Sequence, residues 1–358
     1  MQALTVAPNR KNSLRLDTLP DPVPGAGELL VDGLVVGVCG TDREIVEGAY
    51  GTPPEGRERL VIGHESLGRV RQAPPGSGWV PGDLVVGIVR RPDPVPCGAC
   101  AQGWFDMCRN ERFTERGIKE LDGYAATSWT VEVEYAARLD PGLEQVGVLM
   151  EPTTVVAKAW DQIERIGARS WFSPHSVLVT GAGPIGLLAA LLGRQRGLEV
   201  HVLDRVESGV KPELVRRLGA EYHHAEVERV MARVRPDVVI DATGAASVVF
   251  GAMAAMGPYG VLCLTGVSPG GRTLEVDAGY INRELVLDNS VVVGTVNANR
   301  LHYTAAATAL VEADRGWLDA LITRRVPLES FEEAFEQRPG DVKTVIELSR
   351  TPGADVRG

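Results

Sequence analysis

The most constraining stretch of this chain runs from His175 to Gly197. Ser176-Val177-Leu178-Val179-Thr180 is short, apolar and β-branched, the composition of a buried strand. Gly181-Ala182-Gly183-Pro184-Ile185-Gly186 interrupts it, and Leu187 to Arg196, rich in Leu and Ala, reads as a helix. Strand, G-x-G-x-x-G turn and helix in that order form the dinucleotide-binding fingerprint. Gly181 permits the tight turn, Gly183 lets backbone approach a pyrophosphate, and Gly186 lets helix and strand pack closely. Pro184 falls near the first helical position, where a missing N–H costs nothing. Ile185 and Gly186 then open a helix whose N-terminus attracts phosphate. Glu199 to Leu203 reads as a second strand, with Asp204 at its end, where a carboxylate accepts both ribose hydroxyls and repels a 2′-phosphate. Arg205 follows and can stack on adenine or hold that phosphate. The pair predicts NAD as first cofactor, with NADP use left open.

At 358 residues the chain is long for one core, and two domains are expected. A formal net charge of −10 argues against nucleic acid and anionic membrane as partners. The opening residues lack the apolar core of a secretory leader, and no run is long enough to span a bilayer. A cytoplasmic enzyme is the expectation. Three of the five cysteines cluster, which favours metal over a disulfide framework.

Texture changes along the chain. Before residue 150, short β-like runs such as 29–36, 69–71 and 84–89 alternate with Pro/Gly turns, the pattern of an irregular β-rich domain. From Met150, a helix over 151–166 is followed by strands alternating with helices, which implies a doubly wound parallel sheet. The tail after Asn299 holds two helices (303–312 and 330–337) and β-like runs at 325–327 and 344–348, pieces suited to completing the first domain. The expected division is 1–155, a β-rich catalytic domain; 156–298, the dinucleotide domain; and 299–358, a return segment.

The first domain carries candidate metal ligands. Cys39-Gly40-Thr41-Asp42 follows an apolar strand, Gly63-His64-Glu65 follows another, and Glu151-Pro152 opens the helix that leads into the nucleotide domain. Cys, His and carboxylate are zinc's preferred ligands, and a catalytic site uses three of them while leaving a position open. Any one alone reads as packing or a helix start; together, upstream of a dinucleotide fold, they read as a metal centre.

With C-G-T-D, G-H-E, a cysteine lobe, E-P and G-A-G-P-I-G in this order, the chain resembles the zinc-dependent medium-chain dehydrogenases/reductases over nearly its whole length. Within them it is most similar to the glucose dehydrogenase branch, through Glu115-Arg-Gly-Ile-Lys-Glu-Leu-Asp-Gly-Tyr124, Met150-Glu-Pro-Thr153 and Gly294-Thr-Val-Asn-Ala-Asn299. The resemblance implies a GroES-like catalytic domain beside a Rossmann domain. It implies a catalytic zinc held by Cys39, His64 and Glu151, with Glu65 as alternate ligand, and Thr41 as proton relay. Thr41, Glu115, Glu151 and Asn297 would face a sugar, whose hydroxyls suit carboxylate acceptors. The other reading of Glu115 is a solvated charge in a run of alternating acids and bases. Asp241-Ala-Thr-Gly244 and Leu264-Thr-Gly-Val-Ser268 end later strands. Thr243, Thr265, Gly266, Val267, Thr295, Val296 and Asn297 are the expected contacts on the nicotinamide side.

The implied reaction is oxidation of an aldose at its anomeric carbon to an aldonolactone, with hydride transfer to the nicotinamide. A homotetramer or dimer is implied as well. Cys97, Cys100 and Cys108 match the structural-zinc lobe, but Gly103 stands where its fourth cysteine belongs. Zinc closed by Asp93, Asp106, Glu111 or water is the expectation, an empty reduced lobe the alternative. Two competing functions remain at this point: a dehydrogenase of another polyol or secondary alcohol, and a non-catalytic dinucleotide-binding sensor.

Overall fold

The computed structural model describes residues 1–268, 270–271 and 273–349. Among the described residues two compact units emerge, the first comprising Met1–Glu151, Ala298–Glu312 and residues 322–349, the second Pro152–Asn297 and Ala313–Leu321.

The first unit is built on the long strand Glu28–Val38. It pairs antiparallel with Glu65–Gln72 on one side and with Lys343–Glu347 on the other, and Ser128–Glu132 pairs with its first half. Leu84–Gly87 and Ala136–Leu139 extend the sheet at one edge and Ile322–Pro327 at the other. The strand alternates buried and half-buried positions along its first half and is buried at Val36–Val38. Val36, Ile62, Val326 and Ile346 meet in one apolar cluster, so the end of the chain is held by burial as well as by the ladder. This return fixes the site, because it brings Lys343 beside residues far away in sequence.

The second unit is a six-stranded parallel sheet in the order Glu221–His223, Glu199–Leu203, Ser176–Thr180, Val238–Asp241, Val261–Leu264, Val291–Gly294. Numbered along the chain, that order is 3-2-1-4-5-6, the Rossmann arrangement, whose ligand crevice opens at the carboxyl ends where the order reverses. Those ends are Thr180 and Asp241, neighbours in register. The central strands are buried but for half-buried Ser176, as a sheet covered on both faces requires.

The expected division shifts: the second unit runs over Pro152–Asn297 rather than 156–298, and it takes up part of the expected return segment. The helix Arg315–Leu321 lies in the second unit, not in the return segment. Its Trp317 indole donates to the Leu214 carbonyl at 2.9 Å, and Trp317, Leu318 and Leu321 are buried. The expected helix over 330–337 is instead a short 3₁₀ turn, Leu328–Ser330, and a single helical turn, Glu332–Phe335.

Candidate active site

Cys39 follows the Glu28–Val38 strand and caps the short helix Gly40–Val46, which carries Thr41 in its first turn. His64 precedes the neighbouring strand, and Glu65 opens it opposite Gly37. Cys39 Sγ and His64 Nε2 lie 3.2 Å apart. These two atoms and a Glu65 carboxylate oxygen all fall within 4.8 Å of one another. Ligands on a tetrahedral zinc at ordinary bond lengths sit about 3.5 Å apart, so the thiol and imidazole are spaced as such a pair would be.

Two buried charges hold this group. Asp42 accepts from the Cys39 amide at 2.9 Å and places Oδ1 3.4 Å from His64 Nδ1. A carboxylate on the far nitrogen of an imidazole fixes its orientation and tautomer, the arrangement that supports metal-ligating histidines. Lys343 forms a buried ion pair with Glu65 and donates to the Val38 carbonyl at 3.2 Å. Gly37 is required here: a Cβ on it would collide with the Glu65 carboxylate.

Burial pushes the Cys39 thiol above its ordinary pKa, with Asp42 adding to the shift. Burial opposes the charged form of His64, yet Cys39 and Asp42 hold it well above the usual value. Glu151, at the start of the helix Met150–Gly167, is raised to about 7 by burial. A thiol, an imidazole and two carboxylates crowded out of water constitute a donor set that fits a borderline divalent metal such as zinc. Cys39, His64 and Glu65, the alternate ligand of the resemblance, form the tight group, whereas Glu151, the expected third ligand, stands outside it and shares its electrostatic field.

Glu115 is not a solvated surface charge. It is 5% exposed, and its Oε1 accepts from Arg90 Nε at 3.1 Å and Nη2 at 3.0 Å. Arg90 also donates to the Asp106 carbonyl and lies over the Phe113 ring.

In the second unit the G-A-G-P-I-G turn follows its strand as expected. Gly181 has φ +97°, closed to most side chains, and a Cβ on Gly186 would strike the Gly181 carbonyl. Pro184 is the first residue of the helix Pro184–Gln195, whose N-cap Gly183 supplies no side-chain cap. The amides of Ile185 and Gly186 thus open an anion site.

Asp204 stands at the end of the second strand, with Oδ2 accepting from the Ala182 amide at 2.7 Å inside the glycine turn. Lys211 Nζ lies 3.4 Å from the same oxygen, and Arg205 is exposed beside it. Buried Asp241 ties the other loops together. Its Oδ1 accepts from the Thr180 and Thr243 hydroxyls, each at 2.6 Å, its Oδ2 from the Gly244 amide at 3.0 Å, and its carbonyl from Thr265 Oγ1 at 2.7 Å and the Gly266 amide at 3.1 Å. Val267 and Val296 are exposed. Lys158 Nζ holds the Val296 carbonyl at 2.9 Å, next to Asn297 in the left-handed region at φ +61°.

Residues 25–141 match the alcohol dehydrogenase GroES-like domain, and residues 144–348 match the glucose dehydrogenase C-terminus. The glucose 1-dehydrogenase of Methanocella arvoryzae is 39% identical over 357 residues, covering 97% of this chain and 99% of its own. That of Thermoproteus tenax is 40% identical over 354 residues, with 97% and 99% covered. The chain belongs to the zinc-dependent medium-chain dehydrogenases/reductases, in the glucose dehydrogenase branch. Among solved structures, Haloferax mediterranei glucose dehydrogenase in complex with NADP, Zn and gluconolactone superposes with a TM-score of 0.90 at 32% identity, covering 98% of this chain and 100% of the other.

This member of the branch departs from the four-cysteine lobe. Cys97, Cys100 and Cys108 gather their sulfurs within 4.8 Å, and among the described residues no imidazole or carboxylate joins the group. Of the expected fourth ligands, Asp93 is committed to the Val95 amide and to Asn110 Nδ2, both at 2.8 Å. Asp106 accepts from Asn299 Nδ2 at 2.9 Å. Gly103 turns at φ +82° where the missing cysteine would be. Of the expected readings, closure by Glu111 or water and an empty reduced lobe stand.

Four residues of the site escaped the sequence reading: Asp42, Lys343, Arg90 and Asp241. Asp42 and Asp241 stood inside noted motifs, C-G-T-D and D-A-T-G, and an acid fixed in such a motif was the available signal. Lys343 and Arg90 gave none, since their partners are remote in sequence.

Proposed function

We propose that this chain is a glucose 1-dehydrogenase, oxidising glucose at the anomeric carbon to the aldonolactone and passing the hydride to a nicotinamide dinucleotide. The observation that carries the reading is the convergence of half-buried Cys39 with buried His64 and Glu65, with Glu151 sharing their field, in a chain of this branch. Cys39, His64 and a carboxylate from Glu65 or Glu151 would hold zinc, which when bound supplies Lewis acidity toward the sugar hydroxyl. Gly181, Gly183, Pro184, Ile185, Gly186, Asp204 and Arg205, with Thr243, Thr265, Gly266, Val267, Thr295, Val296 and Asn297, would hold the dinucleotide, the hydride acceptor.

The chain's own groups do the rest. Asp42 keeps the imidazole turned so that Nε2 faces the thiol. Lys343 offsets the charge of Glu65, so the centre does not carry three uncompensated anions. Thr41 takes the proton leaving the sugar hydroxyl and passes it outward. Thr41, Glu115 and Glu151 bind ring hydroxyls, Glu115 being held by Arg90 in one orientation. The gluconolactone named in the Haloferax mediterranei complex is the product this reaction would yield.

Asp204 favours NAD, while Lys211 and Arg205 beside it make NADP acceptable. Five free cysteines suit a reducing, cytoplasmic compartment, and no helix among the described residues is long and apolar enough to cross a membrane. The edge strand Val291–Gly294, with exposed Val286 and Leu287 nearby, suits pairing with a second copy, giving a dimer or tetramer.

A steady-state panel of glucose, galactose, sorbitol, threonine and propanol with NAD and with NADP tests the reading. Glucose or a near epimer should give the highest kcat/KM. A clear preference for sorbitol or propanol would replace it with a polyol or alcohol dehydrogenase.

A further inference from the structure

A second group of metal-binding side chains lies in the nucleotide unit, at the edge of the parallel sheet. His201 and Glu221 are partners in register on the adjacent strands Glu199–Leu203 and Glu221–His223, and His223 follows two residues later on the same face. His201 Nδ1 lies 3.0 Å from His223 Nε2 and 3.4 Å from a Glu221 carboxylate oxygen, and one ligand atom from each residue falls within a sphere of 4.8 Å. Donors on a tetrahedral zinc with ordinary Zn–N bonds sit about 3.4 Å apart, so the three atoms need little rearrangement to share an ion.

We propose that His201, Glu221 and His223 form a binding site for a divalent transition-metal ion of the zinc, cobalt and nickel class, separate from the zinc sites of the first unit. Two imidazoles and a carboxylate suit these ions, whereas magnesium and calcium take oxygen ligands. Three protein ligands leave a fourth position for water.

The side chains around the group show what an ion would displace. Arg233 Nη2 lies 2.7 Å from His223 Nδ1 and pairs with Glu221 Oε1. A guanidinium can only donate, so His223 Nδ1 accepts, and its proton sits on Nε2, facing His201 Nδ1. Metal binding moves that proton to Nδ1 and frees Nε2 as a ligand. Arg233, its side chain 61% exposed, then leaves the ring and keeps its pairing with Glu221. The guanidinium is a built-in competitor of the ion.

The location gives the site a consequence. The Asp204 amide donates to the His223 carbonyl at 3.2 Å, and the His201 strand runs directly into Asp204. An ion bridging the two strands would clamp the sheet edge beside the residue assigned to the ribose.

The test is calorimetric titration of Zn²⁺ into the dialysed, zinc-loaded enzyme. Wild type should take up one further equivalent with a rise in Tm. Glu221→Gln, at a half-exposed position that leaves the fold intact, should bind it at least tenfold more weakly, and His201→Asn should abolish it. Arg233→Met should bind it several-fold more tightly. No further equivalent in wild type, or uptake unchanged in Glu221→Gln, overturns the proposal. An Arg233→Met variant that binds more weakly than wild type overturns the competition by Arg233.

Discussion

His64 Nδ1 faces the buried Oδ1 of Asp42 at 3.4 Å, while His64 Nε2 faces the Cys39 thiol. The imidazole is thus held from behind by a carboxylate that also fixes the Cys39 backbone through its amide. One acid positions two proposed ligands. Asp42→Asn should therefore lower zinc affinity by about 10–100-fold without removing a ligand. Zinc retained against a graded chelator series is the readout, and unchanged retention would remove Asp42 from the support of the centre.

Glu151 offers a pH signature in metal-free protein. Burial raises its pKa from 4.5 to about 7, so the folded state binds a proton that the unfolded state releases. Its contribution is fully present below about pH 4.5 and is lost as pH rises toward 7. Glu151→Gln should flatten this loss and stabilise the stripped protein at pH 8 by on the order of 2 kcal/mol. Denaturant unfolding of both proteins across pH 4–8 checks it, and parallel curves would contradict it.

The cysteine lobe should hold a second zinc. Cys100→Ala should then lower Tm while glucose turnover is nearly unchanged. In stripped protein Cys97 should alkylate with a midpoint near its pKa of about 6, depressed by the Arg109 amide, whereas burial holds Cys100 at about 11. One zinc per chain, with all three thiols reacting in native protein, would mean an empty lobe.

Cofactor choice turns on Asp204 and its cationic neighbours. Asp204→Gly removes a charge opposed to the 2′-phosphate and a ribose acceptor, so the NADP/NAD ratio of kcat/KM should rise roughly ten- to a hundredfold. Lys211→Met or Arg205→Ala added to it should cancel much of the gain. A tenfold wild-type preference for NADP would mean that Asp204, bonded to the Ala182 amide, is committed to the glycine turn.

The nucleotide unit was legible because its signals are local: an apolar run, three glycines at fixed spacing, and an acid at the next strand end. Each is satisfied within a few residues, as the φ of Gly181 and the contact of Gly186 with its carbonyl show. Cys39 and His64 are legible only in combination with the dinucleotide motif, and Glu65 enters as the alternate ligand of the resemblance while Glu151 is the expected third. What holds them was not. Lys343 reaches Glu65 only because Lys343–Glu347 returns to pair with Glu28–Val38, and that register is set by burial of Val36 and Ile346. For Glu115 the alternating charges around it leave a solvated reading open beside the ligand reading, and only Arg90, 25 residues earlier, closes it. The helix Arg315–Leu321 carries no local signal for its unit, because its partner, the Leu214 carbonyl, lies about a hundred residues upstream.

The most direct test is glucose oxidation before and after zinc removal, followed on one preparation. Glucose with NAD or NADP should yield reduced cofactor and gluconolactone, chelation should abolish turnover while dinucleotide binding persists, and added zinc should restore it. Glucose oxidation that survives complete removal of the metal would contradict the role given to Cys39, His64 and their carboxylates.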